Sequence, residues 1–413
     1  MRHVERNELE DSRQAHASRG SRVVWLAALL CGLTGANVGA AEVASPLEPS
    51  LTIGVEKSPA PFISPLLNGL SATESSLLVW NVETRGLSLI HPKGDGTWQV
   101  AAVPGVGRVS ASPGGFLLTE SGTTHIINAD FSRSHETRSK VTFLDEATGA
   151  ARWTVQWAGR SAESPVVLGD RVYVYTRESN VGTAALGLDP AGKEVQRFNL
   201  PFPWNVSAGV LTHGRELFFH GLSSFGPFIV AIDSATGRET WRETLGFGST
   251  MSDVSGDLAV LHDPFNEGAY AVVDLASHKV LKKGMNLGLL DRGMAVANGA
   301  ACFWGRKVDG GAEVLRCLSL KTLDVQWERS FDSGIIVVAG LLHQHGRLWI
   351  LVQGPQGATH LQALDPATGA TVRDYALGER LALEPRIRAT AYQDLLVVGT
   401  KGGRVLGYAL PRD

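Results

Sequence analysis

Cysteine is scarce in this chain: three residues in 413, at positions 31, 302 and 317. With Cys31 in the N-terminal apolar run, that leaves a single possible disulfide pair in the rest of the chain. No adjacent cysteine pair and no Cys-x-x-Cys-His haem motif occurs. Charge bias is missing too. The 38 Lys plus Arg against 41 Asp plus Glu leave a formal −3, which argues against nucleic acid as a partner. No P-loop, nucleophile elbow or Gly-x-Gly-x-x-Gly at a strand-to-helix step is visible. Glycine, by contrast, is plentiful: 47 residues, well above the usual ~7%. With proline ordinary at 18, this composition predicts many tight turns between many short strands, an all-β chain.

The N-terminus reads as an address. Arg19 and Arg22 precede an apolar run at residues 23–33, and small residues follow up to Ala41. The run falls short of the roughly 20 residues that span a membrane. Its order is that of a secretory signal cleaved near Ala40, with an uncleaved anchor as the alternative. Glu5, Glu8, Glu10 and Asp11 are unusual in such a leader and point to a start downstream of Met1. Lipidation at Cys31 is a further alternative, although Leu30 stands where a small residue is needed. The expected location is the bacterial periplasm or the exterior. In an exported chain, Cys302 and Cys317 raise the question of a disulfide. Asp309-Gly310 between them is a strong hairpin signal, and centring the turn there sets 302 opposite 317. A bond is expected, with two separate buried thiols as the alternative.

The most informative feature is a repeat. Phe143-Leu-Asp-Glu-Ala-Thr-Gly-Ala-Ala-Arg-Trp153 recurs as Ala231-Ile-Asp-Ser-Ala-Thr-Gly-Arg-Glu-Thr-Trp241 and as Ala363-Leu-Asp-Pro-Ala-Thr-Gly-Ala-Thr-Val-Arg373. Weaker copies bring the shared third position to Asp145, Asp189, Asp233, Asp274, Ser319 and Asp365, spaced by 41 to 46 residues. In each copy the acid caps a turn by accepting backbone N–H bonds and glycine supplies a positive φ. The next strand carries a large aromatic, Trp153, Trp241 or Trp327. With the hairpins upstream, each unit makes four short strands, the blade of a β-propeller.

Ala-x-Asp-x-x-Thr-Gly-x-x-x-Trp resembles the tryptophan-docking repeat of pyrroloquinoline-quinone-type eight-bladed propellers, over most of residues 75–410. Arg373 stands where that pattern has tryptophan. Counting units gives seven, and residues 394–410 supply an eighth that stops short of an outer strand. Pairing the N-terminal strand at 51–55 into this last unit would complete an eight-bladed ring within a single domain, residues 41–413. Seven blades is the alternative count. The resemblance implies one of three branches, the third being the broad set of exported propellers of unassigned role. Quinoprotein dehydrogenases hold a quinone and calcium on this propeller but are considerably longer, and many alcohol-oxidising members use an adjacent cysteine pair. Propellers of the BamB type in outer-membrane assembly match this length, lack catalysis and bind partners by their loops. The expectation is therefore a non-catalytic, cofactor-free scaffold, monomeric by itself, that meets another envelope protein and touches the membrane only through that partner. A quinone-and-calcium enzyme or channel-mouth receptor is the alternative.

Candidate site residues follow from that frame. The innermost strands would line a channel, and their charged positions are Arg108, Glu163, Asp253, Arg292, Arg386 and Arg388, either a ligand site or a neutralising network. His213, His220, His262, His343 and His345 lie near strand ends without the spacing of a metal site and read as turn and surface residues. Residues 120–140 exceed the repeat length. Ile126, Ile127, Phe131 and Arg133 there mark either a partner-docking element or an extension of the blade's own strand.

Overall fold

The computed structural model describes residues 43–412 except 48, 50, 55–69, 73–74, 82–85, 93–97, 104–107, 128–132, 179–181, 201–206, 224–225, 249–250, 264–268, 285–293, 298, 307–312, 332–335, 355–356, 378–388 and 400–403. The expected leader, with Cys31 and the expected cleavage near Ala40, lies outside the described residues. Every described element is a β-strand. The first sheet joins Leu70–Ala72, Leu77–Asn81, Gly86–Pro92 and Trp98–Val103; the second Arg108–Ser112, Gly115–Ile127, Arg133–Asp145 and Ala151–Ala158. Arg160–Leu168, Arg171–Glu178, Gly182–Leu188 and Glu194–Asn199 make the third. The fourth is Ser207–His213, Glu216–Ser223, Gly226–Asp233 and Glu239–Thr244; the fifth Met251–Ser255, Leu258–Asp263, Ala269–Asp274 and Lys279–Gly284. Met294–Ala297, Ala300–Arg306, Glu313–Ser319 and Val325–Phe331 form the sixth. In the seventh, Ile336–Gln344, Arg347–Gln353, Thr359–Leu364 and Thr371–Leu377 meander in order. Ala389–Tyr392, Leu395–Gly399 and Arg404–Ala409 begin the last, and Leu51–Gly54 pairs antiparallel with Arg404–Ala409 as its outer strand.

That last pairing is the one expected of the N-terminal strand. A second N-terminal strand goes beyond the expectation: Val43–Leu47 pairs in parallel with Thr371–Leu377, a fifth strand on the edge of the seventh sheet. Pro46 weakens the strand signal, since it lacks a ladder N–H and is tolerated only at a sheet edge, where this strand lies.

Burial explains why these segments are strands. The third strands read as nearly continuous buried runs, such as Gly226–Asp233 and Ala269–Asp274, because both of their faces meet a neighbouring sheet. Outer strands alternate instead, as in Lys279–Gly284, because only one face is covered. Each apolar cluster draws one face from each of two consecutive sheets. Tyr173, Tyr175, Leu217, Phe219 and Val230 join the third to the fourth, and Trp349, Leu361, Leu396 and Tyr408 the seventh to the eighth. First strands touch in succession from sheet to sheet, and Ala389–Tyr392 of the last touches Leu70–Ala72 of the first. There the Tyr392 hydroxyl donates to the Ser75 carbonyl at 2.6 Å.

Strand direction sorts the connections into two groups. Repeat turns and first hairpins lie at one end of every sheet, while second hairpins and sheet-to-sheet connectors lie at the other. In the sixth sheet Cys302 faces Cys317, as the Asp309-Gly310 turn implied, and the two are disulfide-bonded with Cα atoms 4.1 Å apart. This spacing is nearer the ~4.5 Å of a non-hydrogen-bonded pair than the ~5.5 Å of a bonded one.

Candidate functional site

The repeat residues build the joints between sheets. Asp145 Oδ1 accepts from the Ala147 and Thr148 amides at 3.0 and 2.9 Å and from the Thr148 hydroxyl at 2.9 Å. Asp233 and Asp365 repeat this pattern with Thr236 and Thr368. Asp189 caps Ala191 and Lys193, Asp274 caps Ser277, and Ser319 does the same for Lys321 and Thr322. The Arg152 guanidinium on Asp145, aided by Thr148, holds that carboxyl down to about 2. The Thr236 hydroxyl lowers Asp233 in the same direction.

After each cap a β-bulge shifts the register. It delivers one residue of the outer strand opposite the residue two before the capping position: Trp153, Gln196, Trp241, Lys282, Trp327 and Arg373. From there each of the first five reaches the turn of the following sheet. Trp153 covers Gly192, where an added Cβ would lie 2.7 Å from the indole. Gln196 donates to the Ala235 carbonyl at 3.0 Å while Phe198 covers Gly237. Trp241 stacks on His278 at 5.5 Å and 8°. Lys282 bonds the Leu323 carbonyl. Trp327 covers Gly369 and donates to the Pro366 carbonyl at 2.9 Å. Arg373, the departure from the repeat, contacts its own neighbour's carbonyl, that of Val372.

Of the channel candidates, Arg108, Glu163 and Asp253 lie on the first strands of the second, third and fifth sheets. Arg108 and Glu163 sit toward the connector end of those strands. Arg292, Arg386 and Arg388 lie outside the described residues. Next to Asp253 in the chain is one half of a pair that sequence reading did not single out: His220 Nε2 lies 3.0 Å from Ser252 Oγ, across the joint between the fourth and fifth sheets. Gly209 makes room for it, since a Cβ there would come within 2.4 Å of the imidazole. His220 and His262 are buried, not surface residues as expected. Burial pushes the His262 imidazole down to about 4, so it is neutral near pH 7. A fully buried His220 offers no approach to a substrate, and its contact with Ser252 ties two sheets together. His213 and His345 do lie at turns and face Asp257 and Asp394 of the next sheet, at 3.5 and 3.0 Å. Burial lowers His343 as well.

Residues 120–140 form a ribbon continuous with the second sheet. Gly115–Ile127 and Arg133–Asp145 pair over their whole length, from Gly115 opposite Asp145 to Ile127 opposite Arg133. Ile126 and Ile127 therefore extend the blade's own strand. Phe131 lies outside the described residues. Neighbouring strands stop earlier: the first pairs no further than Thr119 and the fourth no further than Arg138. Beyond them the ribbon has no further strand of its own sheet beside it, while Arg160–Leu168 of the third sheet touches both of its strands, and Glu120 and Lys140 are ion-paired at its base at 2.5 Å. An open depression lined by Glu243 and His278 through Lys283 runs along the outer strand of the fifth sheet. Among the described residues no three His, Cys, Asp or Glu side chains converge as a metal site.

A family model described as outer membrane protein assembly factor BamB matches residues 86–189 and 229–411. The chain belongs to this pyrroloquinoline-quinone-like propeller family. BamB from Moraxella catarrhalis is similar in structure, with 16% identity, a TM-score of 0.52, and coverage of 88% of this chain and 99% of that one. Quinohemoprotein alcohol dehydrogenase from Comamonas testosteroni gives 12% identity, a TM-score of 0.56, and coverage of 88% and 76%. A computationally designed protein, Ika8, gives 12%, 0.56, and coverage of 89% and 100%. These likenesses establish the β-propeller fold of this family. No curated protein matches the sequence.

Proposed function

We propose that this chain is an exported, single-domain, eight-bladed propeller acting as a non-catalytic protein-binding scaffold in the bacterial envelope, its leader removed near Ala40. The observation that carries this reading is the family match across both halves of the repeat array, to a model described as an assembly factor. The ribbon beyond Thr119 and Arg138 supports it, because an element that outruns its sheet offers edges and side chains to a partner. Another envelope protein is the partner, and membrane association runs through it. Eight sheets and the contact of the last first-strand with the first support the blade count and closure by the N-terminal strand.

Replacing residues 123–137 with a short Gly-Ser link between Gly122 and Arg138, which are register partners, removes the ribbon from both strands at once and keeps the blade's own ladder. Crosslinking in the native envelope then loses its main partner band. Unchanged bands would move the binding surface to the channel mouth, where Arg108, Glu163, Asp253, Arg292, Arg386 and Arg388 are the ligand candidates. The likeness to quinohemoprotein dehydrogenases motivates a second reading, quinone and calcium at that mouth. Purified protein incubated with both, then assayed for quinone absorbance and dye-linked alcohol oxidation, decides it; activity would overturn the scaffold.

A further inference from the structure

The outer strand of the fifth sheet differs from the others in charge. Glu194–Asn199, Glu239–Thr244, Val325–Phe331 and Thr371–Leu377 each hold basic and acidic residues together, and Arg152 of Ala151–Ala158 is paired with Asp145. Lys279–Gly284 reads Lys-Val-Leu-Lys-Lys-Gly, with three lysines and no acid. Opposed residues share a face of the sheet. Asp274 opposite Lys279 and Val272 opposite Lys282 therefore set these two lysines on one face, and Ala271 opposite Lys283 sets the third on the other. Between them Leu281 is 40% exposed. The flanking sheets contribute one acid on each side, Asp324 at 3.3 Å from Lys282 and Glu243 at 3.5 Å from Lys283. Among the described residues no strand lies along the outer edge of Lys279–Gly284, and the open depression runs beside it. The seventh sheet shows what an outer edge of this protein takes: there Val43–Leu47 adds a fifth strand to Thr371–Leu377.

We propose that Lys279–Gly284 is a docking edge that takes an extended acidic segment of another protein as an added fifth strand. An edge strand presents unpaired N–H and C=O groups, and an incoming strand satisfies them whatever its sequence. Charge then selects the occupant. A second copy of this edge would set lysine against lysine, and like charges directly opposed are destabilising. An acidic strand, whose side chains alternate between the two faces, meets Lys279 and Lys282 on one and Lys283 on the other. Leu281 adds an apolar contact at the centre of the edge. The surface is distinct from the ribbon of the second sheet, so binding here survives removal of the ribbon.

The test is fluorescence anisotropy of the full chain with a labelled peptide that repeats Val-Glu-Glu. Beside it stand a Val-Lys-Lys repeat and a Pro-Glu-Glu repeat, which keeps the charge but loses ladder donors. The expected result is saturable binding of the Val-Glu-Glu peptide, weakened at least about tenfold by Lys279→Glu with Lys283→Glu, and weakened likewise by the proline peptide. The lysine peptide should not bind, and the chain lacking residues 123–137 should bind as the parent does. Hydrogen exchange locates the contact: amides within Lys279–Gly284 should slow when the peptide is added. Absence of saturable binding, protection confined to other strands, or equal binding of the proline peptide overturns the docking edge. Phosphatidylglycerol vesicles that bind through the same lysines while the peptide does not would make the strand a membrane contact and overturn it as well. Circular dichroism melts check the fold of the double variant, and Lys279→Glu alone, at an exposed position, carries the test if the double variant unfolds.

Discussion

Two joints between sheets solve the same problem differently. Between the sixth and seventh, Trp327 lies on Gly369, whose φ of +71° suits glycine, and the indole N–H reaches the Pro366 carbonyl. Between the fourth and fifth, Trp241 meets His278, a side chain held at φ +56° where the repeat places glycine. Its imidazole stacks on the indole and lies 2.8 Å from Glu216. The first joint relies on missing atoms, the second on added ones. A docking position thus tolerates any residue that presents a flat face to the indole, provided the turn's left-handed residue is accommodated.

The largest effect is expected from Gly369→Val. Its Cβ would fall 2.5 Å from Trp327, and a β-branched residue would be forced to positive φ. Strain and overpacking together predict a loss of about 3 kcal/mol or more, read as a fall in the urea midpoint. A fall under about 1 kcal/mol would mean that the joint is plastic. Next comes the disulfide behind that joint, since Cys317 faces Trp327 across the outer strand pair. Its sequence separation of 15 gives up to about 3 kcal/mol in the chain-entropy model. Native protein from an oxidising compartment should show no free thiol until reduced. Reduction should then loosen the sixth sheet before the rest.

Much of this was legible in the sequence. Strong copies at Asp145, Asp233 and Asp365 fixed caps, turns and period, because the Asp-x-x-Thr-Gly geometry is local and every participant is a neighbour in the chain. The Cys302–Cys317 register followed from one turn. His278 and Phe198 were not legible as docking residues, since their roles depend on which residue the neighbouring sheet presents. His220 and Ser252 escaped for the same reason: they are 32 positions apart and meet only across a joint. The strand Val43–Leu47 escaped because its pairing partner, Thr371–Leu377, lies near the other end of the chain and runs parallel to it.

A smaller effect is expected at the joint that follows, where His262 packs 5.3 Å from Phe303. Burial depresses the folded imidazole to about 4 from its ordinary 6.5. Below 6.5 the unfolded chain therefore binds a proton that the folded chain refuses. Stability is full above that value and falls through the window down to about 4, by about 1 kcal/mol between pH 7.5 and 5.5. His262→Leu should flatten this part of the profile in urea melts at the two pH values. An unchanged slope would place the acid sensitivity in other groups.

The smallest effect separates the two joints. His278→Gly restores the repeat's glycine, relieving about 1 kcal/mol of left-handed strain. It also removes the stack on Trp241, worth about 0.5–1 kcal/mol, and the contact with Glu216, worth a few tenths. These contributions nearly cancel, so the urea midpoint should barely move. His278→Ala keeps the positive φ and loses both contacts, and should be the less stable of the two by about 1 kcal/mol. If glycine instead proves as damaging as alanine, the imidazole's contacts outweigh its strain, and the fourth–fifth joint is held by His278 rather than merely tolerating it.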